Sequence, residues 1–188
     1  MGLDTRVIYR IDALDRIVFV NEGWEQFARA NDSSDFTAAK VLNRSLWDFI
    51  NDRTTRYLYG EILRQVRSNK SMAFNFRCDS PQCRHYLEMT VTAHADDVQF
   101  ETRTLKIEPR DFQPILAHDA SHSDELVVSC GWCKKIRTGD ADWKEVEEAV
   151  VELNVFERES LPQITHGMCG DCFMQMSETI IEKARAVK

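Results

Sequence analysis

Two cysteine pairs, Cys130-Gly131-Trp132-Cys133 and Cys169-Gly170-Asp171-Cys172, stand 35 intervening residues apart in the last third of this 188-residue chain. Each two-residue spacer lets a pair of sulfurs turn toward one point, so a pair supplies one edge of a tetrahedron with metal–sulfur distances of about 2.3 Å. Two such edges close a structural Zn²⁺ site that keeps no open coordination position. Any fold for the last third must therefore bring these two segments together. A single C-x-x-C would fit a redox motif or a buried apolar thiol equally well. The second pair turns the reading toward metal, with Cys130, Cys133, Cys169 and Cys172 as ligands. Cys78 and Cys83, spaced C-x4-C far upstream, read as ordinary core or loop thiols.

The rival reading is a thiol redox switch, in which oxidation ejects zinc and forms disulfides. The first pair follows the apolar run Leu126-Val127-Val128, as a redox C-x-x-C follows a strand. Against a thioredoxin-like centre, only 55 residues follow Cys133, they contain a second pair, and no βαβ pattern precedes it. The residues Met1-Gly2-Leu3-Asp4-Thr5-Arg6 form no apolar leader, and no run approaches the roughly 18 apolar residues of a membrane helix. A cytoplasmic, reducing setting without membrane association is the expectation, one in which thiols bind metal more readily than they form structural disulfides.

Hydrophobic residues make up 43% of the chain, enough to fill one domain core and a small appendage. Val7–Ile11 and Ile17–Val20 are β-rich runs flanking the polar turn 12–16, which predicts a hairpin. Asn21 can cap a helix over residues 22–30 with Trp24, Phe27 and Ala28 on one face. Asn31-Asp32-Ser33-Ser34 should end it. Residues 45–50 fit a short helical turn. Asn51 or Asp52 can cap a longer helix over 53–68, striped by Leu58, Ile62 and Val66 and widened by Tyr59 and Leu63. Strands are expected over 72–78, 84–94 and 98–107. In the middle one, Tyr86, Glu88, Thr90 and Thr92 alternate with Leu87, Met89, Val91 and Ala93, the mark of a half-buried antiparallel strand.

The segment 109–125 is polar, carries Pro114 and lacks periodicity, so it reads as a linker between a domain at 6–108 and a module at 126–188. Within the module, Asp142 can cap a helix from Trp143 with Val146, Val150 and Leu153 at helical spacing, and Phe173, Met176, Ile180 and Ala184 stripe a terminal helix. Helices this short need packing and metal to hold them. Trp132 and Trp143 read as core anchors. His166, three residues before Cys169, could replace a sulfur in a Cys3His site, but a role donating to a thiolate from outside the ligand set is preferred. Lys134, Lys135 and Arg137 are placed either to offset the dianion of a four-thiolate zinc or to form a solvated surface. His85, His94, His118 and His122 form no ligand spacing.

The order of two strands, a helical middle and three strands resembles a PAS domain. Asp15-Arg16-Ile17-Val18-Phe19-Val20-Asn21-Glu22-Gly23-Trp24-Glu25-Gln26-Phe27-Ala28 looks like that family's second strand running into its first helix. The resemblance covers about residues 6–108. It implies an α+β fold with an antiparallel five-stranded sheet, helices on one face, and a cavity between them that can hold a small molecule of unknown identity. Trp24, Phe27, Trp47, Phe49, Phe74, Phe76 and Phe100 are candidates to line it, although such residues also serve as plain core. Cys130-Gly131-Trp132-Cys133-Lys134-Lys135-Ile136-Arg137, then Trp143, then Thr165-His166-Gly167-Met168-Cys169-Gly170-Asp171-Cys172 is similar to a cysteine-rich tail found after sensory and receiver domains in bacterial signalling proteins. The usual pattern has proline where Gly170 stands. The fold expected after the sheet is thus a small zinc-stapled helical module.

The chain contains no G-x-x-x-x-G-K-[ST] loop, no G-x-S-x-G elbow and no H-E-x-x-H. A closed zinc site offers no position for an activated water. The net charge is −7 and residues 126–188 hold 8 Lys/Arg against 11 Asp/Glu, so nonspecific attraction to nucleic acid is not expected. These observations converge on a non-enzymatic sensory protein in which residues 109–125 pass a change in the sheet to the zinc module and so to a signalling partner, with a homodimer also expected and a nucleic-acid-binding zinc regulator as the weakest alternative.

Overall fold

In the computed structural model, residues 6–30, 36–117, 121–158 and 160–185 are described. The expected helix break at Asn31–Ser34 and His118 fall outside them. The chain divides into two compact units. One holds the residues up to Asn75, Glu88–Thr104 and those from Met176 onward; the other holds Phe76–Leu87 and Leu105–Gln175.

The first unit begins with the expected hairpin of β1 (Val7–Ile11) and β2 (Ile17–Val20). Asn21 fixes the exit from it. Its Oδ1 accepts from the N–H of Trp24 at 2.9 Å and of Ile8 at 3.0 Å, while its Nδ2 donates to the Arg6 carbonyl at 2.7 Å. One side chain thereby caps α1 (Glu22–Ala30) and ties it to β1. Gly23 is required here, because a Cβ would stand 2.2 Å from the Arg6 carbonyl oxygen. Ala28 is buried as the pattern predicts. Phe27, expected on the same face, is 45% exposed.

A one-turn α2 (Ala38–Val41) and a 3₁₀ turn at Leu46–Asp48, capped by the Ser45 hydroxyl, lead to α3 (Arg53–Arg67). Asp52 caps α3 through the Thr55 N–H at 2.6 Å, and Leu58, Ile62, Leu63 and Val66 are buried. The long strands β3 (Met72–Ser80), β4 (Cys83–His94) and β5 (Asp97–Pro109) complete a five-stranded antiparallel sheet in the order β2-β1-β5-β4-β3. Leu87, Met89 and Val91 point inward as the alternation of β4 predicts. The division between units cuts all three strands, so that 76–80, 83–87 and 105–109 belong to the second unit.

The second unit contains a sheet as well as helices, which corrects the expectation of a helical module. β6 (His122–Cys130), β7 (Ile136–Arg137), β8 (Trp143–Lys144) and β9 (Leu161–Gly167) pair in the order β8-β7-β6-β9. β6 and β9 run parallel, from His122 beside Leu161 to Cys130 beside Gly167. Parallel neighbours need a crossover, and β7, β8 and α4 (Val146–Glu152) lie within that connection. α4 starts later than the Asp142 cap predicts, because Trp143 and Lys144 pair with β7 instead. Asp142 accepts from Thr138, and Glu145 takes the N-cap position without a capping bond.

The segment 109–125 contains ordered elements, where a linker was expected. Pro114–Leu116 form a 3₁₀ turn, Ile115 is 2% exposed, and β6 begins at His122. Ile115 joins Val127, Ile136, Val146, Ala149, Val150 and Val155 in the apolar core of this unit, which explains why a polar stretch is held in place. The terminal helix α5 (Gly170–Arg185) buries Cys172, Met176 and Ile180, while Phe173 of the expected stripe is 37% exposed. No helix among the described residues is long and apolar enough to cross a membrane.

Candidate metal centre and aromatic cavity

The parallel pair β6 and β9 delivers both cysteine pairs to one point. Cys130 is the last residue of β6, and the chain turns sharply after it. Lys134 N–H returns to the Cys130 carbonyl at 3.0 Å, Cys130 N–H reaches the Lys135 carbonyl at 2.8 Å, and Lys134 takes a left-handed φ of 62°. Next to Cys130, β9 ends at Gly167. Its carbonyl accepts from Gly131 N–H at 2.9 Å, and a Cβ on it would stand 2.8 Å from Val128 Cγ1. Glycine before the second pair is thus the residue that lets the two strands close. Cys169 then precedes α5, accepting from Phe173 N–H at 3.0 Å, and Cys172 lies in the first turn.

The four sulfurs all lie within 4.8 Å of one another, and Cys133 Sγ is 3.7 Å from Cys169 Sγ. A tetrahedron with metal–sulfur bonds of about 2.3 Å has edges of about 3.8 Å. The donor set therefore fits a four-sulfur metal site, and all six cysteines of the chain are free of disulfides. Two amides point at sulfur: Cys169 N–H at Cys130 Sγ and Cys172 N–H at Cys169 Sγ, each at 3.5 Å. Such donors, together with the positive end of a helix, favour thiolate over thiol.

The same crowding shapes the protons of the four thiols. Cys130 is held far below the ordinary thiol range, chiefly because the Cys133 and Cys172 thiols donate to it. Cys133 is pushed up to about 12 by sharing its proton with Cys130, and Cys172 is pushed up by sharing with Cys130 and Cys133. Cys133 and Cys172 must each surrender a proton before all four sulfurs can ligate, so metal binding releases protons and weakens as pH falls.

His166 is not part of the four-ligand cluster. It lies on β9 opposite Ser129, and its side chain is exposed. The Lys134 ammonium donates to the Gly131 carbonyl at 3.0 Å, bracing the turn between Cys130 and Cys133. Trp132 is buried at 7% exposure and Trp143 is half-buried.

An ionic network in the second unit escaped the sequence reading. Arg77 is 8% exposed, although β3 periodicity gives no reason to bury it. Its backbone N–H donates to the Trp132 carbonyl, inside the first cysteine pair, at 2.7 Å. Its guanidinium bonds Asp79 and, at 2.8 Å, Glu145 at the start of α4. Burial alone would lower the Arg77 pKa, but these carboxylates outweigh it and hold the pKa above its ordinary value. Asp79, with a side chain 1% exposed, also receives Arg110 at 3.1 Å, and Arg84 meets Glu147 at 2.8 Å. Three guanidinium groups and three carboxylates from positions 77 to 147 thus tie strand ends, the Cys130–Cys133 turn and α4 together. No local pattern announces them.

In the first unit, a cavity of about 160 Å³ has five aromatic rings on its wall: Tyr9, Trp24, Phe36, Phe49 and Tyr59. Of the residues expected to line a cavity, Trp24 and Phe49 do. Phe100, fully buried, stacks on Tyr9 at 4.5 Å, and Phe74 meets Tyr59 at 6.4 Å; both are core behind the wall. Trp47 turns its Nε1 to Asp15 at 2.8 Å, Phe27 faces outward, and Phe76 is half-buried in the second unit.

No family model matches the chain, and no curated protein matches it. Among solved structures, it is similar to a PAS domain from a two-component sensor histidine kinase at 14% identity and a TM-score of 0.31, over 56% of this chain and 86% of that one.

Proposed function

We propose that this chain is a non-enzymatic signalling protein in which a PAS-like sensory region works with a module folded around one structural Zn²⁺. The observation that carries the metal part is the sulfur geometry: four thiols within 4.8 Å of one another, with amides directed at two of them. A four-thiolate zinc is coordinatively complete, so it folds the chain and does not activate water. The sensory part is supported by the element order of two strands, helices and three strands, and by the aromatic cavity. A change at the cavity would travel along β3, β4, β5 and α5, which are continuous between the two units, and would alter the surface that the zinc module offers to a partner protein or a second copy. The setting that fits free thiols is the cytoplasm.

The test combines metal analysis with thiol counting on the purified chain. One zinc per chain that persists through mild peroxide is the expected result. Iron in its place would contradict the zinc assignment. Ready zinc release with loss of four thiols would support the redox switch instead.

A further inference from the structure

We propose that the cavity of the first unit binds a small, neutral, flat aromatic molecule of one ring or two fused rings. This deepens the sensory reading above and rests on it.

Size sets the first limit. An apolar cavity of about 150 Å³ accepts a benzene-sized guest, and the volume here is about 160 Å³. A nucleotide or a large macrocyclic cofactor exceeds it.

Charge sets the second. Among the described residues, no carboxylate, amine or guanidinium lines the cavity. The titratable groups on the wall are two phenols, and burial pushes both up, Tyr59 to about 12, so both are neutral near pH 7. A charged guest would give up hydration without meeting a counter-ion.

The wall's shape and its polar groups set the third. Tyr9 and Trp24 meet edge to face at 5.4 Å and 68°, and Phe36 and Phe49 at 5.8 Å and 45°. Rings presented at several tilts offer both faces and edges, which complement the quadrupole of an aromatic guest. Ile17, Val41 and Leu46 supply the remaining apolar contact. Two of the polar handles on the wall are engaged within the protein. Trp24 Nε1 donates to the Phe36 carbonyl at 2.6 Å, and Tyr59 Oη donates to Met89 Sδ at 3.9 Å. A guest that makes few polar demands is the one that fits.

The experiment is a titration of the full, metal-loaded chain with indole and with benzoate, followed through the amide NMR shifts of Tyr9, Ile17 and Val41. Indole is expected to saturate one site, and benzoate to bind about 100-fold more weakly or worse. Val41→Phe and Leu46→Phe each fill the cavity and should weaken indole about 10-fold or more, in line with losing the space for a ring. Two positions are used so that a variant that fails to fold leaves the other to decide. Equal binding of benzoate, no saturable indole binding, or undiminished binding in a folded filled variant would overturn the proposal. If indole fails while native mass spectrometry shows another molecule retained, the aromatic class is wrong and the sensory reading stands. If indole binds without changing hydrogen exchange anywhere in residues 105–175, the cavity assignment stands and the relay is wrong.

Discussion

The first unit is held by apolar side chains, whereas the second combines a small apolar core with thiols and buried charge. In the first, Ile11, Leu58, Ile62, Val66, Val91 and Phe100 are almost fully buried and come from three strands and one helix. In the second, seven buried apolar residues, Ile136 among them, form the core, while Gly131, Gly167 and Arg77 hold the turns that bring the four sulfurs together. The contrast teaches that the two units should fail differently. The first should lose stability in proportion to buried area, and the second should fail when one charged or ligating group is removed.

The largest expected effect is Cys169→Ser. It removes one candidate ligand and the acceptor of the Cys172 N–H, so on the zinc reading metal binding should be lost and, with it, folding free energy on the order of 10 kcal/mol. Metal analysis and the NMR dispersion of residues 105–175 read this directly, and the amides of α1 and α3 should stay dispersed. Next comes Arg77→Met, which strands Glu145 and takes one of two guanidinium partners from Asp79. A loss of about 3–5 kcal/mol is expected by denaturant unfolding. If the variant were neutral, the network would not be the support described.

Asn21→Ala should destabilise the first unit by about 1–2 kcal/mol, because it deletes a helix cap and two bonds that tie α1 to β1. The smallest effect is Phe27→Ser. With Phe27 45% exposed, a change within about 0.5 kcal/mol is expected, and a larger loss would place that ring back in the core.

The same contrast governs what could be read from the chain. The first unit was legible because its signals are local: the hairpin runs, the Asn21 and Asp52 caps, the Leu58–Ile62–Val66 stripe and the alternation of β4. Phe27 was misplaced because a helix as short as α1 offers more apolar positions than its buried face uses. In the second unit the convergence of Cys130, Cys133, Cys169 and Cys172 was legible from spacing alone, as paired C-x-x-C motifs suggest. The scaffold around them was not. β9 contains Pro162 and pairs with β6, 37 to 39 residues upstream, and Trp143 leaves a plausible helix start to pair with β7. Arg77, Asp79, Arg84, Arg110, Glu145 and Glu147 look like surface charge one at a time. Their burial exists only once the sheet has brought them together.

The central claim is that metal folds the second unit, while the first folds around its own apolar core. Hydrogen exchange of the reduced chain, with and without a strong chelator, tests this most directly. The account predicts that chelation strips protection from Arg77, from β6 and β9 and from the first turn of α5, while β1, α3 and the 88–94 part of β4 keep theirs. Unchanged protection around the cysteines after metal removal, or equal loss in both units, would contradict it.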